Sequence, residues 1–576
     1  MFVQNFNKLL FRPVYFPSNF ISFFLNIEFI IISFVKNSKS ETMKKTIIQL
    51  SLLISASYCQ SQIVTSSATE DYNNVNATLT DGGVYFNDLS NTIAGYEVPK
   101  GSGISSIFLS SFWYGGTDSN NQIHLSGQTY TANSDIFTGP FSSNNSYLDP
   151  LYISKYSPSI WKVKKYDITQ HILNFASAGY VTPNSILNWP GNGDPTLGVS
   201  LQLAPFIDLD NDGIYEPTQG DYPDIKGCEA SFIILNDDAQ IHSSSGGAKI
   251  EMEVHVMVYQ YATADYLDNT TFISKKIINK GSQTLNNFRT SFFMDGDLGN
   301  AGDDFVGCDS VRKLMYTYNG DSNDEANGGL SGYGHTPPSI SAISLNNELA
   351  NSGHFINGAA IGMGDPSSAV EYFNYMNGKW SNGIPMTFGG IGYGGTTPCN
   401  FNYPTNPNSI NDPMPWSEVS EQNPPGDRRQ YMTVNSGVFA PGDTLDLDFA
   451  ILFGQNTDTS NYLSCINNLM DIADSVQAFY NSNIDICTDP SAGLNEKNSM
   501  DFKIYPNPTN GSFVIELQKP MEEIILEITD MSGRVVLSKT YKNQFEINID
   551  LKEQAGMYIV KMKNNTEVTL YKLMVE

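Results

Sequence analysis

Aspartates recur at alternate positions in the stretch "DLDNDGIYEPTQGD", where Asp208, Asp210 and Asp212 precede Gly213. Calcium is a hard cation that takes several oxygen ligands, and this spacing before a glycine matches the first half of a calcium-binding loop. The sequence therefore predicts a Ca²⁺ site. Its predicted ligands are Asp208, Asp210, Asp212, the backbone carbonyl of Ile214 and the side chain of Glu216.

This loop does not match a complete EF-hand. Gln219 occupies the position at which an EF-hand has a bidentate glutamate, and Pro205 and Pro217 bracket the loop where flanking helices would begin. Two interpretations remain open. Calcium could staple a β-turn here, or the aspartate-rich turn could be held by hydrogen bonds from its own side chains.

A second acidic stretch is "MDGDLGNAGDDFVGCD". Carboxylates this close in sequence repel one another unless water or a cation neutralises them. We predict a second calcium site here, with an exposed acidic loop as the alternative. The candidate ligands are Asp295, Asp297, Asp303 and Asp304, with Asp309 nearby in the sequence.

Known catalytic motifs do not occur in the sequence. The histidines are scattered, without the close pairs of a zinc site, and the glycines around Ser331 do not match G-x-S-x-G. Abundant Asp and Glu leave room for a carboxylate pair that hydrolyses glycosides, but sequence does not give their separation. We therefore assign no catalytic and no cofactor-binding residue.

Two other groups have two interpretations each. Arg428 and Arg429 in "PPGDRRQYM" could clamp a ligand's carboxylate or sulfate, or could pair with the acidic loops and hold the body together. Aromatic residues near turns could stack on sugar rings or fill a sandwich core. These aromatic residues are Trp113, Tyr114, Trp189, Trp380 and Trp416. We favour the structural interpretation for both groups.

Charge limits the class of partner. The chain has 576 residues, with 60 Asp and Glu against 32 Lys and Arg, giving a formal net charge of −28. Such a protein repels phosphate backbones, so nucleic acid is not expected as a partner.

Apolar residues alternate through stretches such as "KIEMEVHVMVYQYA" and "GDTLDLDFAILFG", which predicts β-strands. We expect these strands to position the acidic loops. One amphipathic helix is predicted near residues 461–480. The predicted fold is mainly β, with a multi-domain antiparallel β-sandwich architecture. We divide it into an N-terminal β-rich region (63–200), a central β-rich region with the Asp-rich loops and the closing helix (201–485), and a linker (486–500).

The start of the chain carries an export signal. From Met43, "MKKTIIQLSLLISASYCQSQ" has two lysines, an apolar run and then small and polar residues, which predicts a signal peptide over residues 43–62. We interpret residues 1–42 as an over-long start of the reading frame rather than a membrane anchor. The sequence downstream has no long apolar run, so we expect no transmembrane segment in the mature protein.

Cysteine spacing bears on covalent cross-links. Six cysteines are present, none in a C-x-x-C pair, and Cys59 lies within the predicted signal. In an exported protein the others could form one or two disulfides, and one candidate pair is Cys465 with Cys487, on either side of the predicted helix.

The last segment reads as a small β module. Phe513, Ile515 and Leu517 alternate with polar or smaller residues, and turn signals such as "NPTNG" and "MSG" separate successive runs. This pattern predicts a C-terminal immunoglobulin-like sandwich. The motifs "YPNPTNGSF", "ITDMSGRVV", "AGMYIVKM" and "YKLMV" resemble the type A C-terminal sorting domain of type IX secretion cargo, over residues 501–576.

That resemblance implies a route. Such cargo, from Bacteroidetes-type bacteria, crosses the inner membrane by its signal peptide and the outer membrane after the type IX machinery recognises this domain. The domain is then removed, and the protein is released or attached covalently to surface lipopolysaccharide. The central region resembles uncharacterised cargo bodies of the same system, which bring no established activity.

These observations lead to two functional hypotheses. The first is a secreted or cell-surface β-rich protein, stabilised by Ca²⁺, that has a binding or adhesion role, with extracellular polysaccharide as one candidate ligand. The alternative is a secreted hydrolase of the glycoside hydrolase type that uses paired carboxylates.

Overall fold

The computed structural model describes most of the chain after residue 64. The described residues are 65–327, 329–359, 362–409, 412–456, 458–484, 486–487, 502–521, 524–530, 534–552, 555–563 and 568–575. The predicted N-terminal extension (1–42) and signal peptide (43–62) lie outside the described residues, as does most of the predicted linker (486–500).

Antiparallel strands form the framework of the body, by which we mean residues 65–487. In chain order they are β1 (Ser67–Glu70), β2 (Asn76–Thr80), β3 (Val84–Tyr85), β4 (Asn87–Asp88), β5 (Ile93–Ala94), β6 (Tyr96–Glu97), β7 (Ser105–Ile107), β8 (Leu109–Thr117), β9 (Ile123–Ser126), β10 (Phe137–Thr138), β11 (Ile160–Lys164), β12 (Phe206–Ile207), β13 (Tyr222–Pro223), β14 (Glu229–Asn236), β15 (Met252–Gln260), β16 (Thr270–Asn279), β17 (Leu285–Asp295), β18 (Asp304–Asp309), β19 (Leu314–Asn319), β20 (Ser339–Ser344), β21 (Leu349–Ile356), β22 (Arg428–Phe439) and β23 (Thr444–Gly454).

Two large sheets organise these strands. Sheet I has the order β21-β22-β17-β8-β3-β2-β6-β7, with β1 on β2 and β9 on β8. Sheet II has the order β10-β14-β15-β16-β23-β20-β19-β18, with β11 on β14. The prediction of a mainly β, antiparallel sandwich is confirmed. The predicted regions 63–200 and 201–485 share both sheets, since β8 pairs with β17 and β11 pairs with β14.

Alternation along the strands forms two of the hydrophobic cores of the body. Between the sheets lies the inner core, in which Phe112 of β8 contacts Phe449 of β23 with ring centroids 5.3 Å apart. The opposite face of sheet I forms an outer core that includes Phe293 of β17 and Phe355 of β21. Most central strands are therefore buried on both faces, which explains their nearly continuous apolar sequences.

A third core lies on the outer face of sheet II, where four of the five helices pack, whereas the helix Ala369–Met376 packs in the outer core of sheet I. The helices within the described ranges are α1 (Pro150–Tyr156), α2 (Lys165–Asn174), α3 (Asn184–Leu187), α4 (Ala369–Met376) and α5 (Ser464–Ser482). The predicted amphipathic helix corresponds to α5, whose apolar face packs against β23 and β20. The other four, which the sequence analysis did not predict, are short. No helix in the described part of the chain has the length and hydropathy needed to cross a membrane.

One disulfide closes the body, and it joins Cys228 to Cys487, whose Cα atoms are 5.0 Å apart. The predicted pairing of Cys465 with Cys487 is wrong. Cys465 is a free thiol on the buried face of α5, where it is 1% exposed and its Sγ lies 3.2 Å from the carbonyl oxygen of Tyr462.

A short segment spans the edges of the two sheets. On one side, the N–H of Asn402 donates to the carbonyl of Ser352 in β21, and Ser352 donates to Asn400. On the other side, the N–H of Cys308 in β18 donates to the carbonyl of Tyr403 over 3.2 Å. Residues 400–403, here called the edge bridge, therefore bond both edge strands.

The C-terminal module is a separate set of strands with its own core. Its strands are β24 (Phe502–Tyr505), β25 (Ser512–Met521), β26 (Ile524–Asp530), β27 (Val535–Tyr541), β28 (Gln544–Asp550), β29 (Gly556–Lys563) and β30 (Val568–Val575). They form a three-stranded sheet, β24-β25-β28, and a four-stranded sheet, β27-β26-β29-β30. Phe513, Ile515 and Leu517 are buried as their alternation predicts.

Candidate metal centres

Strand register brings distant acidic residues to one end of sheet I. Asp295 is the last residue of β17 and pairs with Arg429, the second residue of β22. Asp297 follows β17 in the chain, and Asp427 directly precedes β22. Because β17 and β22 are antiparallel neighbours, the loop after one strand meets the loop before the other. Three carboxylates from two separate segments thus reach one place, which we call the 295 centre.

The 295 centre is compact and partly shielded from water. Asp295, Asp297 and Asp427 each place a carboxylate oxygen within 4.8 Å of the others. Asp295 is 1% exposed. Burial, with the negative charge of Asp427, raises the pKa of Asp295 to about 7 although the Arg429 cation opposes this. Burial and the charge of Asp295 raise the pKa of Asp297 well above its usual range.

A buried arginine and a tyrosine hold one side of the 295 centre. The Tyr130 hydroxyl donates to Asp295 Oδ2 over 2.8 Å and accepts from Arg429 Nε. Arg429 Nη1 lies 3.0 Å from Asp427 Oδ1, and Nε lies 3.8 Å from an oxygen of Asp365. Asp295 Oδ1 is buried and accepts no hydrogen bond from the described residues. This oxygen is free to bind a cation.

The two arginines both have protein partners. Arg429 is only 7% exposed and lies among carboxylates. Arg428 forms two 3.2 Å hydrogen bonds with the buried carboxylate of Glu418. Both side chains therefore stabilise loops, as the structural interpretation of the sequence holds.

The Asp208 loop brings its three aspartates together at the surface. Oxygens of Asp208, Asp210 and Asp212 also lie within 4.8 Å of one another. Asp208 accepts from the N–H groups of Asn211 (2.7 Å) and Gly213 (2.8 Å), and the Gly213 bond is the largest cause that lowers the pKa of Asp208. Desolvation and the neighbouring Asp212 charge raise the pKa of Asp210. The turn is held by its own hydrogen bonds and also presents three converging carboxylates.

Ile214 and Glu216, the remaining predicted ligands of this loop, form hydrogen bonds with other residues of the loop. The N–H of Ile214 donates to Asp212, and the Glu216 carboxylate accepts from Gln219 over 2.6 Å. Asp221, which the sequence analysis missed, is 1% exposed and closes the loop. It accepts from the N–H groups of Leu209 (3.0 Å) and Glu216 (2.8 Å).

The other acidic residues of the second stretch are not among the three carboxylates that converge at the 295 centre, although the charge of Asp297 acts on Asp304. Asp309 forms an ion pair with Arg312 at 2.9 Å. Asp303 and Asp304, at the start of β18, lie close to Asp324 instead, and burial followed by the Asp324 charge raises the pKa of Asp303 to about 6. The structure therefore divides the predicted second site into two groups.

The aromatic candidates for sugar stacking are in the core. Trp113, Trp189, Trp380 and Trp416 are at most 3% exposed, and Tyr114 is 1% exposed. Their indole N–H groups bind backbone carbonyls, as between Trp380 and Gly392 over 2.8 Å. These rings therefore offer no face to a sugar.

Comparisons with known proteins bear on the end of the chain. Residues 503–576 match a family profile described as "Secretion system C-terminal sorting domain". No curated protein was found to match the chain. A solved polysaccharide lyase structure is similar at 9% identity, covering 56% of this chain and 34% of that one, with a TM-score of 0.17. Dimeric latent PorU from Porphyromonas gingivalis is similar at 10% identity, covering 61% and 32%, with a TM-score of 0.12.

This chain therefore spans about a third of the length of each of those two proteins, and TM-scores this low carry no functional argument. The family match coincides with the independent core of β24–β30 and with the motifs of the predicted sorting domain. Residues 503–576 belong to the family of secretion system C-terminal sorting domains, and the protein is type IX secretion cargo that is secreted or displayed on the cell surface.

Proposed function

We propose that this secreted or surface-displayed cargo is a calcium-stabilised binding protein with an adhesion role. One observation supports the calcium more than any other: the 295 centre gathers three carboxylates, and Asp295 Oδ1 is buried without a hydrogen-bond donor. Buried polar atoms in folded proteins nearly always have a partner, so an unpartnered oxygen among carboxylates suits a bound cation.

The ligand chemistry favours Ca²⁺. Asp295, Asp297 and Asp427 offer only oxygen ligands, which hard divalent cations prefer. The side chain of Asp427 is 31% exposed to solvent. Fully ionised, these three with Asp365 carry four negative charges, whereas Arg429 supplies one positive charge. A divalent ion would offset most of the remainder and join the loop after β17 to the loop before β22.

The same geometry does not support glycoside hydrolysis at this place. A glycosidase needs one carboxyl group as general acid and a second as nucleophile or base, both facing the substrate. At the 295 centre, Tyr130 and Arg429 already bind Asp295 on one side. The alternative hypothesis of a hydrolase gains nothing from this cluster.

Calorimetric unfolding tests the calcium. The full chain is stripped with EDTA and then measured with and without added Ca²⁺. A ligand that binds only the folded state at 100 times its Kd stabilises by about 2.7 kcal/mol, so the melting temperature should rise with Ca²⁺. Asp427→Asn should reduce that rise, and Asp446→Asn, an exposed aspartate of β23, should not. An equal response in all three proteins would refute the 295 centre as a calcium site.

Adhesion is tested separately. The protein is applied to a glycan array and to a cell-adhesion assay, each with Ca²⁺ and with EDTA. Binding that EDTA abolishes and that Asp427→Asn weakens supports the proposal. If no ligand in either assay is bound in a calcium-sensitive way, the binding role is refuted whatever the calorimetry shows.

A further inference from the structure

A second group of unpartnered oxygens lies where β18 begins. Asp304 is the first residue of β18 and stands directly opposite Asn319, the last residue of β19. Both are 1% exposed. Residues directly opposite in an antiparallel pair have Cβ atoms about 4.5–5.5 Å apart, so these two side chains are neighbours.

The unpartnered atoms in this group are all acceptors. They are Oδ1 of Asp304, Oδ1 of Asn319 and both carboxylate oxygens of Asp303, none of which accepts a hydrogen bond from the described residues. None of the buried, unpartnered atoms of Asp303, Asp304 and Asn319 is a hydrogen-bond donor. Buried acceptors without a donor from the protein need a donor or a cation as partner.

The surrounding charge is also negative. The strongest charges acting on Asp304 come from Asp297, Asp303 and Asp324, and those acting on Asp303 include Asp324 and Glu325. This differs from the 295 centre, where Arg429 supplies a positive charge. Asp324 itself is occupied, because it accepts from the N–H groups of Asn300 (3.0 Å) and Tyr333 (2.6 Å).

Protonation alone does not account for the group. A neutral Asp304 could donate its proton to Asn319 Oδ1, which would pair those two residues. Both oxygens of Asp303 would still lack a donor. A cation would supply a partner for several of these atoms together, because its coordination shell takes several oxygens.

We propose that a second divalent cation of the oxygen-preferring kind, such as Ca²⁺, binds between Asp303, Asp304 and Asn319. This inference extends the calcium stabilisation proposed above, but its ligands differ from those of the 295 centre. Asp324 is a positioning residue that fixes the loop around the ion through its two backbone hydrogen bonds. With two carboxylates and one amide oxygen, this site has fewer charged ligands than the 295 centre, so it should bind calcium more weakly.

The location gives the ion a structural effect. Residues 296–303 connect β17 of sheet I to β18 of sheet II, and the N–H of Leu298 in this connection donates to Asp304 Oδ2 over 3.0 Å. An ion at Asp303 and Asp304 would therefore fix the crossing between the two sheets and the edge strand that follows it.

Calcium stoichiometry tests the proposal. The full chain is stripped with EDTA, dialysed against CaCl₂, and its bound calcium is measured by atomic emission, with titration calorimetry for affinity. Asp304→Asn should bind one ion fewer per chain than the unmodified protein, or bind it at least tenfold more weakly. Asp303→Asn, a change at a less buried residue, should lose the same ion. Asp321→Asn, an exposed neighbour, should retain it.

A further variant separates this proposal from the first. Asp427→Asn should lose a different ion, so that the double variant Asp304→Asn/Asp427→Asn loses two. Unchanged calcium binding in both Asp303→Asn and Asp304→Asn overturns the second site. Unchanged binding in Asp427→Asn overturns the 295 centre alone. If Asp304→Asn does not fold, the result with Asp303→Asn decides.

Discussion

Removing the Cys228–Cys487 disulfide should destabilise the β body strongly. The bond closes a loop with a sequence separation of 259 residues. The chain-entropy relation gives about 19 cal/mol/K for a loop of this length, or about 5.5 kcal/mol at 25 °C. A body of about 420 residues unfolds with an entropy of about 0.9 kcal/mol/K, so the melting temperature should fall by about 6 °C.

Tryptophan fluorescence gives a clean assay of this effect. All five tryptophans lie between residues 113 and 416, so their signal follows the body and not the sorting domain. Cys228→Ala, Cys487→Ala and the double variant should be destabilised equally, because each removes the same cross-link. Cys399→Ala, at a free thiol, is the matched control. A loss below about 1 kcal/mol, or single losses that add up in the double variant, would refute the entropic reasoning.

Three other substitutions test buried polar groups. Burial raises the pKa of Glu70 from 4.5 to about 8, so the folded state holds the proton and the free energy of unfolding should fall between pH 4.5 and 8. Glu70→Gln should remove this fall, as measured by denaturant unfolding, and should stabilise the protein by up to about 5 kcal/mol at pH 9. Lys275 is buried with its Nζ 3.8 Å from the centre of the Phe112 ring. Lys275→Met should raise the urea midpoint and increase the free energy of unfolding by about 1–3 kcal/mol, whereas Lys276→Met, at an exposed lysine, should not. Asp221→Ala should cost about 1–3 kcal/mol by leaving two N–H groups unbound, against no loss for exposed Asp224→Ala.

Each of these three predictions has a contrary result. A flat pH profile in the unmodified protein would contradict the protonated state of Glu70. A lower midpoint for Lys275→Met would mean that the amine stabilises the inner core through its rings. Equal stability of Asp221→Ala and Asp224→Ala would show that the Asp208 loop does not depend on Asp221.

Local pattern was enough to predict the mainly β fold, strands within 249–262 and 442–454, α5 and the sorting domain. Period-two alternation and the apolar stripe of a long helix are properties of adjacent residues, which the sequence displays directly. Helices α1–α4 have ten residues or fewer. Isolated helices shorter than about 12–15 residues are marginal in water, so their formation depends on packing that no local pattern shows.

The 295 centre shows where sequence reasoning ends. Asp295 and Asp297 were predicted as ligands because they are close in sequence, whereas Asp427, which precedes two arginines, was not predicted. Only the register of β17 with β22 joins them. The disulfide was missed for the same reason, since Cys228 and Cys487 meet through the folding of sheet II and α5 rather than through spacing. Residue groups that are assembled from distant segments can be predicted only when the strand topology is known.

The edge bridge affects how neighbouring copies of the protein can meet. A secreted protein that accumulates outside the cell risks strand-to-strand association wherever a sheet ends in unpaired backbone groups. Residues 400–403 occupy such groups on β21 and β18. The opposite edges, β7 and β10, have only three and two residues, and β11 carries Lys162 and Lys164. The outer strands β21, β18, β7, β10 and β11 of the two large sheets are thus covered, very short or charged, which should keep crowded copies apart.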